Sequence, residues 1–145
     1  MASIEKKENF KCTPSQLFSI LSDYESYPDF LGDVKGISIL KSTKTYKIVE
    51  YTVSIIKDIT YQLRVKENKN KNISWTLEKG LMFKSLNGSW TLKDSKTKKG
   101  TTDVVYEVDM KLRLFAPKII EKTLVEINLK TMMKSFKQRV KKLYG

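Results

Sequence analysis

The sequence predicts an α+β domain: seven antiparallel strands forming a curved sheet, closed by one long C-terminal helix. Two observations carry this reading. Downstream of Asp33, apolar residues recur at every second position in runs separated by polar turns, as in a sheet with one buried face. The stretch from Pro117 to Tyr144 then runs without Gly or Pro. At about 100° per residue it gathers Val125, Leu129, Met132, Met133, Phe136, Val140 and Leu143 on one stripe. Burying such a stripe contributes about 10–20 kcal/mol before chain entropy is subtracted. Only a broad apolar surface can receive it.

Residues 3–12 read as a first strand with weak alternation. Thr13-Pro14-Ser15-Gln16 is a helix start, with Thr13 as cap, Pro14 at the first position and Gln16 reaching back. Leu17, Phe18 and Leu21 give that short helix an apolar face. Ser22 to Glu25 repeats the capping-box spacing, and Tyr24, Tyr27, Phe30 and Leu31 suggest a second short helix interrupted by Pro28. Strands follow at residues 34–41, 47–57 and 58–67. Their inward lists are Ile37 and Ile39, then Val49, Tyr51, Val53 and Ile55, then Ile59, Tyr61, Leu63 and Val65. Ile73, Trp75 and Leu77 mark the next strand, and Leu86, Gly88, Trp90 and Leu92 the one after. Val104, Tyr106, Val108, Met110, Leu112 and Leu114 share one face of the last, residues 102–114. Pro117 suits the first position of the terminal helix. Residues 1–145 read as a single domain without repeat or linker.

Gly88 on an inward face leaves local room or marks a bulge. The inward lists are also rich in large rings with polar tips: Tyr51, Tyr61, Trp75, Trp90 and Tyr106. Such rings either fill a core or line a pocket and offer a few hydrogen bonds there.

Composition narrows the chemistry. There is no histidine, which removes Ser-His-Asp and Cys-His sites and His-ligated zinc. Cys12 is the single cysteine, so no intrachain disulfide forms and no metal site is expected. Gly32 and Gly36 fit neither nucleotide fingerprint, and no cofactor is expected. Glu107 and Asp109 share the face opposite Tyr106 and read as a solvated pair. Residues 1–10 lack the apolar core of a signal peptide, and no run has the length of a membrane span. A cytoplasmic protein is expected, with peripheral membrane contact as an option.

The segments Thr13-Pro14-Ser15-Gln16-Leu17-Phe18 and Asp23-Tyr24-Glu25-Ser26-Tyr27-Pro28-Asp29-Phe30-Leu31 resemble the opening of START-like (SRPBCC) polyketide cyclase/dehydrase proteins. Within them they are most similar to the coenzyme Q-binding and ribosome-association toxin branch. Residues 73–80, 86–90 and 133–140, with the terminal Tyr144-Gly145, agree. The resemblance implies a helix-grip fold, its sheet wrapped around the C-terminal helix and an apolar cavity, and ligands such as quinones, lipids or polyaromatic molecules. Inward alternation then nominates Tyr51, Val53, Tyr61, Leu63, Trp75, Trp90, Tyr106, Val108, Met110, Met133 and Phe136 as ligand-binding residues. An aromatase/cyclase would need acid–base groups inside: the tyrosines, or Arg64 in a shifted register. With no poised acid or base, binding is favoured over turnover, as carrier or chaperone.

Two surface features bear on partners. The net charge is +12, and Lys130, Lys134, Lys137 and Lys141 form a basic stripe along the helix. That stripe reads as a helix-dipole match or as a docking face for ribosomal RNA or an anionic membrane surface. Ile120, Leu124 and Ile127 fall opposite the main stripe. With Leu81, Met82 and Phe83 they form either an apolar rim at the cavity mouth or packing beneath loops. The oligomeric state is not encoded in these patterns.

Overall fold

A computed structural model describes residues 2–55 and 57–145, without the side chains of residues 2, 125 and 126. Seven strands form one antiparallel sheet: β1 (Ala2–Phe10), β2 (Val34–Ser42), β3 (Lys47–Ser54), β4 (Asp58–Asn68), β5 (Asn72–Gly80), β6 (Phe83–Asp94) and β7 (Thr102–Leu112). The spatial order is β1-β7-β6-β5-β4-β3-β2, so β1 and β2 are the edges, and every neighbouring pair except β1–β7 joins strands consecutive in sequence. Ile56, inside the third expected strand, lies outside the described residues.

Period-two patterning becomes burial directly. Along β7, Val104, Tyr106, Val108 and Met110 are buried while Asp103, Glu107, Asp109 and Lys111 are exposed. The strand ends at Leu112, however. Leu114, expected on the same inward face, lies beyond it and is fully exposed. The β4–β5 turn closes through Asn70 at φ 64°, a left-handed conformation that Asn tolerates.

Helix α1 (Pro14–Leu21) begins on the expected capping box: Thr13 accepts from the Gln16 amide, and the Gln16 side chain takes the Thr13 N–H at 3.0 Å. The second expected box does not form. Tyr24–Asp29 is a 3-10 turn without a side-chain cap bond, and the Ser22 hydroxyl instead donates back to the Phe18 carbonyl at 2.7 Å.

The terminal helix has three parts: α2 (Lys118–Lys122), a π-helical turn (Thr123–Ile127) and α3 (Asn128–Tyr144). Pro117 is its cap residue in extended conformation rather than its first helical residue, because φ near −65° serves both positions and ψ of 133° decides against helix. Met133, Phe136 and Val140 are buried as the stripe requires, but Leu143, one residue before the helix end, is 48% exposed.

The π turn explains a further departure. It holds about one more residue than a regular turn, so everything before it is rotated by about 100° against a uniform helix. Ile120, ahead of the turn, and Leu124, at its start, therefore lie on the inner side rather than the expected outer one. Ile120 is 1% exposed and Leu124 packs against the core. Ile127, within the turn, stays outside. Val125, nominally on the stripe, has no described side chain.

Candidate functional site

Between the concave face of the sheet and the terminal helix lies a cavity of about 200 Å³. On the same scale, an apolar cavity of about 150 Å³ takes up benzene. The sheet supplies Tyr51 and Val53 from β3, Tyr61, Leu63 and Val65 from β4, and Ile73 and Trp75 from β5. It adds Leu86 and Trp90 from β6, and Tyr106, Val108 and Met110 from β7. The helix adds Leu124, Asn128, Leu129, Thr131, Met132, Ser135 and Phe136. Gly32 and Thr131 are the exposed members of the lining. The cavity therefore opens between the turn after the 3-10 segment and the outer edge of the helix.

Ten of the eleven residues nominated by alternation border this space; Met133 does not. It is buried in the core, because the cavity lies to one side of the helix stripe rather than beneath it, and Met132 borders the space instead. Tyr24, Tyr27 and Leu31 also line it and were not nominated. Their signal was the aromatic spacing of three in the Tyr24–Asp29 segment, which eclipses side chains in a 3-10 turn.

Edge-on ring contacts hold the walls. Phe136 meets Tyr27, Phe30 and Trp90 at centroid distances of 5.6, 5.4 and 5.4 Å. Tyr51 and Tyr61 stack at 5.4 Å across the β3–β4 pair, and Tyr106 lies 4.6 Å from Trp90 and 5.9 Å from Trp75. The room left at Gly88 is taken by the Trp75 ring: a Cβ there would stand 2.4 Å from its Cζ2. An indole laid over a cross-strand glycine fixes the angle at which Trp75 enters the cavity.

Among the described lining residues only Asp33 carries a formal charge. Tyr24 donates to Glu67 at 2.5 Å, and Lys47 reaches the same carboxylate at 3.2 Å. Tyr27 donates to the Leu21 carbonyl at 2.5 Å. Burial pushes the phenols of Tyr24, Tyr27, Tyr51, Tyr61 and Tyr106 well up, and for Tyr24 the bond to Glu67 adds to it. They are protonated at neutral pH: hydrogen-bonding groups, not bases. Arg64 lies on the outer face, paired with Glu78 at 3.0 Å, which rules out the shifted register.

Outside the cavity, Lys130, Lys134 and Lys141 are exposed, whereas Lys137 is tied to Glu8 at 2.5 Å. Leu81 is 82% exposed but Phe83 is core, so the expected apolar rim is broken up. No helix among the described residues is long and apolar enough to cross a membrane, and no group of His, Cys, Asp and Glu among them could hold a metal ion.

An antiparallel sheet gripping a terminal helix across an apolar cavity defines the START-like helix-grip fold. The chain belongs to the polyketide cyclase/dehydrase and lipid transport family, whose model matches residues 11–137. A START superfamily protein from Mycobacterium smegmatis superposes with a TM-score of 0.83 at 21% identity, over 97% of this chain and 98% of that one. The Zhui aromatase/cyclase from Streptomyces sp. R1128 gives 0.84 at 15% identity, over 97% and 93%. The STAR-related lipid transfer protein from Xanthomonas axonopodis gives 0.69 at 17%, over 96% and 85%. At these identities the likeness is one of fold. A comparison with curated protein sequences gives no match.

Proposed function

We propose that this chain binds a hydrophobic small molecule, of quinone, lipid or polyaromatic type, between sheet and C-terminal helix, and acts as its carrier or chaperone. The observation behind this reading is the cavity itself, walled mainly by aliphatic and aromatic side chains, with Asp33 the one charged residue among the described lining residues. Family membership supports it, since lipid transport is among the family's described activities. An aromatase/cyclase would need a group that takes a proton near neutrality. Burial holds the interior phenols protonated, which supports binding over turnover.

Native mass spectrometry of freshly purified protein, followed by organic extraction, tests this directly. A stoichiometric apolar adduct, lost on extraction, is expected. Protein that is repeatedly empty and takes up no apolar compound would overturn it.

A second, outward-facing reading rests on the exposed row Lys130, Lys134 and Lys141 with the net charge of +12. Contact with a polyanion, ribosomal RNA or an anionic membrane surface, would weaken steeply with salt. Co-sedimentation with ribosomes or anionic vesicles at two salt concentrations checks it, and retention unaffected by salt would contradict it.

A further inference from the structure

The cavity is apolar by area, yet its polar atoms are unevenly matched. Among the described residues, every sealed side-chain nitrogen or oxygen has a hydrogen-bond partner. Tyr24 and Tyr27 satisfy theirs within the protein. The hydroxyls of Tyr51, Tyr61 and Tyr106 and the indole N–H groups of Trp75 and Trp90 have no such bond among those residues. They must therefore touch open space, and the space that all five rings border is the cavity. An indole N–H only donates, and a phenol donates more readily than it accepts. No lysine or arginine is among the described lining residues.

We infer that Tyr51, Tyr61 and Tyr106, with Trp75 and Trp90, form a donor set selecting a neutral, ring-sized apolar ligand that carries a carbonyl-type oxygen. This rests on the cavity-binding reading above and narrows its ligand class. A pure hydrocarbon would leave these donors dry and unpaired. A carboxylate or phosphate buried there would find no cation to offset its desolvation. A carbonyl oxygen, with its two lone pairs, pairs with up to two of these donors and brings no charge. The stacked Tyr51–Tyr61 pair and the Tyr106–Trp75–Trp90 contacts fix these rings before any ligand arrives, so little order is lost on binding.

The test uses a shape-matched pair of probes, 1-tetralone and tetralin, which differ by one carbonyl. Each is titrated by calorimetry into the full chain and into the Tyr51→Phe/Tyr61→Phe/Tyr106→Phe variant. The wild type is expected to prefer the ketone by about 3- to 10-fold, the range of one net hydrogen bond. The variant, which keeps only the two indole donors, is expected to lose most of that preference while still binding tetralin, which also certifies its fold. The infrared carbonyl stretch of bound tetralone should lie lower in the wild type than in the variant. Equal affinity for both probes in the wild type would overturn the donor-set inference and leave the cavity reading intact, as would a preference that survives undiminished in the variant. Failure of both probes to bind the wild type would overturn both.

Discussion

Phe136 is where the account of this fold is most exposed to experiment. Its ring is 1% exposed and meets Tyr27, Phe30 and Trp90, joining the 3-10 segment and β6 to the terminal helix. Truncating a buried Phe to Ala costs about 3–5 kcal/mol. Three edge-on partners, each worth about 0.5–1.5 kcal/mol beyond area, place this site at the upper end. With about 2.1 cal/mol/K per residue over 145 residues, the unfolding entropy is about 0.3 kcal/mol/K. Phe136→Ala should thus lower Tm by about 15 °C, read by circular dichroism and cross-checked by urea unfolding. Phe136→Leu, which keeps part of the volume, should lose about a third as much. Leu143→Ala on the exposed end of the same stripe should stay within about 0.5 kcal/mol. A loss below about 1 kcal/mol for Phe136→Ala would refute the claim that this ring clamps helix to sheet.

Other consequences are as direct. Gly88→Ala places a methyl against the Trp75 ring and the Glu107 carbonyl, and should cost about 1–3 kcal/mol and change tryptophan emission; unaltered stability and emission would contradict the packing. Five interior tyrosines have raised pKa values, so above about pH 10 the unfolded chain sheds protons that the native chain keeps. Stability should therefore fall as pH rises, by up to about 1.4 kcal/mol per unit for each such group, and denaturant midpoints from pH 9 to 11 check it. In an absorbance titration Tyr46 should ionise ahead of them, since the Lys41 ammonium and the Arg64 guanidinium beside its ring lower its pKa. Burial pushes the Cys12 thiol up to about 11, so a thiol reagent at pH 8 should label it only in urea; rapid native labelling would show the α1 region open.

Most of this architecture was legible because strand burial follows a period of two whatever the tertiary context. That is why β3 to β7 and nine cavity-lining residues could be read from alternation, with Phe136 added by the helical stripe. What escaped depends on longer-range geometry. The π turn at Thr123–Ile127 carries no Gly or Pro to announce it, yet it rotates Ile120 and Leu124 inward. Met133 and Met132 are adjacent on one stripe, and only the lateral offset of the cavity decides which of them borders it. Tyr24 and Tyr27 reach the cavity from a 3-10 turn whose path is set by contacts with Phe136 and Glu67, far away in sequence.

Pressurising a crystal with xenon probes the enclosed space without assuming any ligand. The account predicts xenon density among Tyr51, Trp75, Tyr106 and Met132, beside rings that barely move. An interior that admits no gas, with the rings closed on one another, would contradict it.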